Sequence, residues 1–479
     1  MSDFEQMLVL ATATSVLAPL VAALAARLAA GWIHPRVPAG IGLAVSLTAA
    51  VAVAQGWRVG PGREVLLGPG LVGGSLVHID GLTAILLPLV AIIMLAIVLV
   101  APRRALTPEA VVRLLLGSFL TAAIMTTSHP VALVVLWVLS LLPTWVSTRS
   151  TPGGRPTARA YAIAMISGSL VFAAGVGLMV IDPPWAAKAG TTGAVGGWLV
   201  TLAVMIRKGI APFHSWYPAV FSASPMSTAL AATMPQVASY AAIRLLVGHA
   251  DGVRLELIVL SQAALLTAAY GAALAVVQPD VRGLVGMLAL SQSAMVLAGL
   301  SGGLAMELCG ALAIWISSGL ALTGIGLVAW ALESRAGRLE LNTPQGRFAD
   351  APALAAFFLL FGLASLGFPG TLSFVADDLI VAGSLGDQSH AGALVILATV
   401  FSGIAVVRGW FRIFGGPAAA DAPRHQVLRR ERIPLIVLLS VLFGLGLWPG
   451  PLVQSLEGVA ESLLLSRRST AAPIPGVHP

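Results

Sequence analysis

Two adjacent cations, Arg207 and Lys208, lie within a long apolar segment that Pro212 and Pro218 then interrupt, and a second apolar segment opens at Pro225. A charged side chain inside a membrane span costs at least roughly 2.5–3.5 kcal/mol, so its default interpretation is functional. Proline-broken spans with a buried cation are how membrane transporters build ion sites. A lysine can release a proton, whereas an arginine stays charged. The pattern therefore predicts a proton-transfer site with Lys208 as the titrating group and Arg207 as a fixed positive charge.

Structural alternatives stay open for these residues. A long cationic side chain can instead reach the membrane interface or pair structurally near the end of a span. His214, between the two prolines, suits either a proton relay or a hydrogen-bonded residue at a helix break. A nucleophile made of His214 and Ser215 is not favoured, because no acidic residue follows at a useful spacing.

The composition is that of a membrane protein. Of 479 residues, 58% are hydrophobic and 10% are charged, whereas soluble domains carry about 25% charged residues. The net charge of +7 does not indicate nucleic-acid binding, because the basic residues occupy short loops between apolar runs. The single cysteine, Cys309, excludes an internal disulfide and a cysteine-ligated cluster. We expect no cofactor, no metal and no redox chemistry in this chain.

Apolar runs of about 20 residues recur along the sequence and predict an all-α polytopic membrane protein of about fourteen spans. The spans begin near residues 7, 38, 80, 109, 130, 158, 194, 225, 254, 280, 305, 351, 389 and 433. We expect a single transmembrane domain over 1–465, made of three N-terminal helices (1–108), two repeats (109–248 and 254–414) and a last helix (433–465). The Gly-rich stretch 56–79 predicts a short surface hairpin, and 466–479 a disordered tail.

The arginines set the expected orientation. Loops after odd-numbered spans hold most of them, whereas loops after even-numbered spans hold only Arg58, Arg63, Lys188 and Arg254. By the positive-inside rule, the odd loops are cytoplasmic and both termini lie on the outer side of a bacterial-type cytoplasmic membrane.

A second interrupted helix is expected over 351–384, where Gly367-Phe368-Pro369-Gly370 breaks an apolar run near its middle. Asp377 and Asp378 follow, and because a helix turns about 100° per residue at most one of them faces the protein axis comfortably. The two broken segments are the fourth members of spans 4–8 and 9–13. Matching breaks in two halves indicate an internal repeat, and an odd number of spans in each half makes the copies inverted.

Five stretches together resemble the antiporter-like membrane subunits of respiratory complex I, membrane-bound hydrogenases, Mrp-type sodium/proton antiporters and inorganic-carbon uptake complexes. They are PFHSWYP (212–218), SPMSTAL (224–230), DVRGLVGMLALSQSAMVLAGL (280–300), LASLGFPGTLSFVADDLIV (363–381) and HIDGLTAIL (78–86). The resemblance covers about residues 75–415. It implies fourteen helices, two inverted five-helix halves and a hydrated polar axis along the membrane midplane.

The resemblance also assigns positions, and the sequence departs from several of them. Arg207 stands at the position of the family's helix-seven lysine, with Lys208 one residue later. Gln236 stands at that of the helix-eight lysine, Gln292 at that of the helix-ten histidine and Asp377 at that of the helix-twelve charge. Val138 replaces the helix-five glutamate. The resemblance thus implies a proton path through Lys208, Arg207, His214, Asp377, Gln236 and Gln292, with helix breaks at Pro212, Pro218 and Pro369.

The expected function is that of a proton-translocating subunit within a larger complex, with other membrane subunits and a soluble catalytic subunit as partners. An oxidoreductase label would belong to that complex and not to this chain. Two alternatives stay open: a proton-driven membrane subunit of an inorganic-carbon uptake complex, and a structural family member whose channel has decayed. Sodium in place of protons also stays open.

Overall fold

The chain folds into helices throughout, apart from one small hairpin. The computed structural model describes residues 2–59, 64–68, 74–183, 191–249, 252–301, 305–384, 389–417 and 427–470. Its elements are α1 (Asp3–Leu28), α2 (Arg36–Val59), β1 (Val65–Leu67), β2 (Val77–Ile79), α3 (Gly81–Val100), α4 (Pro108–Ile124), α5 (Pro130–Leu139), α6 (Leu142–Ser150), α7 (Arg155–Ile181), α8 (Thr191–Lys208), α9 (Trp216–Ala223), α10 (Met226–Thr233), α11 (Val237–Leu245), α12 (Arg254–Val276), α13 (Val281–Ala298), α14 (Ala305–Ala336), α15 (Pro352–Ala364), α16 (Leu372–Ser384), α17 (Ser389–Phe414), α18 (Arg429–Leu447) and α19 (Gly450–Thr470).

The lengths and apolar composition of the helices are those of a polytopic membrane protein. Within the described ranges, nine helical segments are long and apolar enough to cross a membrane, and a tenth is added if α18 and α19, bent by 78°, form one span. Joining five interrupted pairs (α5/α6, α8/α9, α10/α11, α15/α16 and α18/α19) gives fourteen segments that begin within four residues of the predicted starts. Four of these fourteen segments, α4, α8/α9, α10/α11 and α15/α16, are not among the nine or ten counted by length and composition. Fourteen crossings therefore remain a prediction.

The expected breaks occur where the backbone cannot continue as a helix. After α8, Gly209 takes a left-handed conformation (φ 71°) and Pro212 follows; after α15, Gly367 (φ 72°) and Gly370 (φ 90°) flank Pro369. Glycine favours such a conformation because it has no Cβ. Both breaks lie at the prolines named from the sequence, Pro212 and Pro369.

Pro218 does not break a helix. It is the third residue of α9 (Trp216–Ala223), in the first turn. Backbone N–H groups in a first turn have no intrahelical partner, so a proline there costs no hydrogen bond.

Helix α14 is the centre of the bundle. Its 32 residues include the most buried membrane-crossing segment of the described chain. A Cβ on Gly319 would lie 3.7 Å from the carbonyl oxygen of Met234, and one on Gly310 would lie 3.2 Å from that of Ala376. These close approaches place α14 between the interrupted pair α10/α11 and the interrupted pair α15/α16.

The small hairpin agrees with the sequence-based prediction, whereas the last helix does not. The predicted hairpin is present: β1 and β2 pair antiparallel, with Val65 opposite Ile79. The last helix was expected to be single and to end at 465. Instead, α18 and α19 meet at a 78° bend, and α19 continues to Thr470, so no disordered tail begins at 466. Residues 471–479 lie outside the described residues.

The inverted relation between the two repeats remains a prediction.

Candidate functional site

Lys208 is the last residue of α8, and its side chain is buried, with 3% exposure. Its Nζ donates a hydrogen bond of 2.6 Å to Oε1 of Gln236. None of the ion pairs found within the described chain includes Lys208. Its recorded partner is therefore a neutral amide.

Gln236 occupies an unusual backbone position. It lies in the break between α10 and α11 with φ 55° and ψ 47°, and within the described residues it is the only non-glycine with a positive φ. Such a conformation costs a residue with a side chain roughly 1–2 kcal/mol. This strained residue lies where α8 meets the interrupted pair α10/α11, and its side-chain amide contacts the buried Lys208 there.

Arg207 contacts different neighbours, because adjacent residues on a helix point about 100° apart. Its Nη1 donates to the carbonyl oxygen of Trp137 (2.9 Å) and its Nη2 to Ser140 Oγ (2.7 Å). The guanidinium carbon lies 4.2 Å from the centre of the Trp137 ring, which in turn stacks on Phe172. Val138, the position of the family's helix-five glutamate, is 42% exposed. Thus the aromatic face and two neutral oxygens stabilise this guanidinium.

His214 lies in the break after α8, apart from Lys208. Its Nε2 is 3.4 Å from the hydroxyl of Tyr270, and the two rings meet edge to face. Tyr270 is 43% exposed, so this contact is near the outside of the bundle. The structure records no contact from His214 to Lys208 or Gln236 in the described chain.

Gln292 and Asp377 converge on the second break. Gln292 Nε2 donates to the carbonyl oxygen of Ser365 (3.3 Å), which caps the end of α15. Asp377 is half-buried and Asp378 is exposed. A Cβ on Gly367 would lie 2.5 Å from Asp377 Oδ2, so this carboxylate is turned into the break.

Several buried polar atoms have no hydrogen-bond partner within the described residues. Five of them lie on α9, α11, α14 and α17, namely Tyr217 Oη, Ser239 Oγ, Trp315 Nε1, Ser318 Oγ and Ser402 Oγ; others lie elsewhere, such as Ser169 Oγ on α7 and both ring nitrogens of His78 in β2. Buried polar atoms of proteins are normally hydrogen-bonded, often to water. The four helices α9, α11, α14 and α17, which hold five of these atoms, lie around and between the two breaks.

The sequence analysis missed an ion pair between Asp80 and Arg244. Nη1 and Nη2 of Arg244 donate to the two carboxylate oxygens of Asp80 at 2.7 and 3.0 Å, and its Nε donates to Tyr240 Oη at 2.9 Å. Asp80 also caps α3 by accepting from the backbone N–H of Thr83. A signal existed: an arginine in an apolar helix pairs with a charged group or with carbonyl oxygens, and Asp80 stands at the start of a span.

The hairpin adds two further ionisable groups next to this pair. His78 Nε2 lies 3.6 Å from Glu64 Oε2 and 3.8 Å from Asp80 Oδ2. The interaction with His78 lowers the pKa of the Glu64 carboxyl below its ordinary value. Within the described residues, no three His, Cys, Asp or Glu side chains are grouped as a metal site.

Interrupted helices that converge on buried charged and amide side chains, in an all-helical chain with nine or ten membrane-crossing segments, define a polytopic membrane protein with a polar interior. Residues 160–403 match the family described as NADH:quinone oxidoreductase/Mrp antiporter, transmembrane. The match covers half of the chain, and the chain belongs to this family. The resemblance inferred from the sequence motifs is confirmed.

Relatives agree with this assignment. The NADH-quinone oxidoreductase subunit M of Pseudomonas aeruginosa is 27% identical over 280 residues, which are 56% of this chain and 54% of that protein. The chain thus spans about half the length of the curated relatives it matches. A chain of respiratory complex I from Thermus thermophilus (TM-score 0.85, 22% identity, 95% of this chain and 99% of that chain) and one of the Mrp complex from a Dietzia species (TM-score 0.86, 19% identity, 98% and 99%) share its fold.

Proposed function

We propose that this chain is the proton-translocating, antiporter-like membrane subunit of a multi-subunit complex. The observation that carries the proposal is the buried hydrogen bond of 2.6 Å between Lys208 and Gln236 where two interrupted helices meet. The amide oxygen accepts from either the ammonium or the neutral amine, so the contact does not hold the lysine in one state. Lys208 is the exchanging group, and Arg207 provides a permanent positive charge beside it.

The path continues from Lys208 and Gln236 across α14 to Gln292 and Asp377 at the second break. Hydroxyl and indole groups that lack a protein partner in the described chain lie on the helices between and around the two breaks. Water can satisfy them, and a chain of ordered water is the medium through which protons cross a protein interior. His214 contacts Tyr270 at the edge of the bundle, so its place in the path is peripheral.

The complex resembles those in which relatives occur: complex I, Mrp complexes and an archaeal respiratory membrane complex. Other membrane subunits and a soluble catalytic subunit would supply the energy, and redox chemistry would belong to them. From the arginine distribution, both termini lie on the outer side of a bacterial-type cytoplasmic membrane.

Proton flux into liposomes tests the proposal. We expect Lys208→Ala and Lys208→Arg each to lower the flux at least about tenfold, because neither side chain can exchange a proton. Lys188→Ala, which changes the only other lysine of the chain, should leave the flux unchanged. Equal flux in wild type and Lys208→Ala would remove the role given to Lys208.

A structural subunit with a decayed channel is the second candidate. It is favoured by the neutral residues Val138, Gln236 and Gln292 at positions where the family carries titratable groups. The same assay separates the two: a scaffold gives no flux above empty liposomes in any variant, although the protein still assembles with its partners.

A further inference from the structure

A cavity of about 90 Å³ lies beside Arg207 and is separate from the Lys208–Gln236 contact. It is partly open and is lined by residues of α4, α6, α7, α8, α9, α10 and α11 and of the junction between α5 and α6. Two arginines and several hydroxyl groups line it, among them Arg113, Arg207, Ser140, Thr144, Ser147 and Tyr161. Its lining residues, all in the described part of the chain, include no aspartate or glutamate. The cavity therefore combines two positive charges with neutral hydrogen-bonding groups.

Both guanidinium groups have donors to spare. A guanidinium carries five N–H groups and does not lose its charge in proteins. Arg207 uses two of them, on Trp137 and Ser140, and the recorded bond of Arg113 is from Nε to Ser147 Oγ at 3.0 Å. Most of the N–H groups of both side chains thus have no recorded acceptor in the described chain.

Neither arginine has a carboxylate partner. None of the ion pairs between described residues includes Arg113 or Arg207. Glu109, one turn before Arg113 on α4, is exposed and lies 3.8 Å from Arg27. Val138, where relatives are expected to carry an acid, is 42% exposed. Two permanent cations therefore line one partly open cavity whose walls carry no carboxylate, and Glu109 interacts with Arg113 only through its charge, from the exposed side of α4.

We propose that this cavity binds a small monovalent anion, chloride or bicarbonate, held by Arg113 and Arg207. Both guanidinium groups are partly buried and none of the ion pairs between described residues includes them, and a bound anion offsets the cost of withdrawing their charges from water. Arginine presents paired N–H groups that suit halide and planar oxoanion ligands. One water molecule needs a cavity of roughly 10–15 Å³. A cavity of about 90 Å³ can therefore hold an anion together with several water molecules of its hydration shell. The site does not depend on proton transport by the chain.

Thermal unfolding of the purified full chain in detergent tests the site. Gluconate, which is too large for the cavity, is replaced by chloride or by bicarbonate at constant ionic strength. We expect either small anion to raise the Tm by roughly 1–3 °C with saturation, because a ligand that binds only the folded state stabilises it. The anion with the lower half-saturating concentration is the preferred ligand.

Variants show whether the effect comes from this cavity. Arg113→Gln and Arg207→Gln should lose the anion-dependent shift. Arg159→Gln, which removes an exposed arginine of α7 that does not line the cavity, should keep it. An equal Tm in gluconate, chloride and bicarbonate for the wild type, or an undiminished shift in both Gln variants, would overturn the proposal.

An internal carboxylate gives a second test that does not remove an arginine. Ser140 Oγ accepts from Arg207 at 2.7 Å, so Ser140→Asp places a negative charge at the proposed position of the anion. This variant should have a higher Tm than wild type in gluconate and no response to chloride. Ser140→Asn, of equal size and neutral, should still respond. A full chloride response in Ser140→Asp would contradict the assignment. Because these readouts are thermal, they stand apart from the flux assay.

Discussion

The hydrogen bond between Lys208 and Gln236 joins the end of α8 to the break between α10 and α11. Its neutrality is the important property at the scale of single residues. An amide oxygen accepts from the amine in both protonation states, whereas a carboxylate would favour the charged state strongly. Gln236 therefore suits a lysine that must exchange its proton.

The difference between an amide and a carboxylate as the partner of Lys208 can be tested by substitution. We expect Gln236→Glu to lower proton flux in liposomes about tenfold or more, because an ion pair holds Lys208 in its charged form. Gln236→Asn retains an amide, and asparagine tolerates the left-handed backbone well, so it serves as the control with flux close to wild type. Wild-type flux in Gln236→Glu would show that the charge state of Lys208 does not limit transport.

Among the elements, the break between α15 and α16 depends on two glycines with different surroundings. Both have positive φ, 72° at Gly367 and 90° at Gly370. A Cβ on Gly367 would lie 2.5 Å from Asp377 Oδ2, whereas one on Gly370 would come no closer than 3.5 Å, to Leu447. An alanine at either position would therefore strain the backbone, but only an alanine at Gly367 would also displace the carboxylate of Asp377.

The pair Gly367→Ala and Gly370→Ala separates these two effects. Both should destabilise the protein by roughly 1–2 kcal/mol, the cost of a left-handed alanine, measured by chemical unfolding in detergent. Gly367→Ala should in addition reduce proton flux, because Asp377 must move out of the break. Equal flux in the two variants would indicate that Asp377 is not in the path.

At the scale of the whole molecule, the pair formed by Asp80 and Arg244 connects parts of the chain that are 164 residues apart. It ties the hairpin and the start of α3 to the end of α11. Both side chains are mostly buried, at 13% and 6% exposure, and Tyr240 and Thr83 provide further hydrogen bonds. We infer that this pair holds the periphery of the bundle to its centre.

Breaking the pair should leave a buried charge uncompensated. We expect Asp80→Asn and Arg244→Met each to lower the free energy of unfolding by roughly 3–5 kcal/mol. The double variant should lose less than the sum by roughly 1–3 kcal/mol, because the two residues interact directly. Arg338→Met is the control: Arg338 pairs with Asp280 at 52% exposure, and exposed pairs contribute about 1 kcal/mol or less. Additive losses for Asp80 and Arg244 would contradict the coupling.

The sequence by itself determined the class of protein, the starts of the helices and the main breaks. These are local properties: a run of apolar residues must satisfy its backbone as a helix in a membrane, and glycine or proline ends that helix where it occurs. The same reasoning failed where position within a helix matters. Pro218 lies in a first turn of α9 and interrupts nothing, and the bend between α18 and α19 was not foreseen.

Only the tertiary structure decided which side chains meet. Arg207 and Lys208 are neighbours in sequence, yet one contacts Trp137 and Ser140 and the other Gln236. The pairing of Arg244 with Asp80 was likewise hidden, as was the cavity shared by Arg113 and Arg207. Such contacts depend on the rotation of each helix about its axis and on the small residues that set helix spacing. Those quantities result from packing many helices together, and no single stretch of sequence contains them.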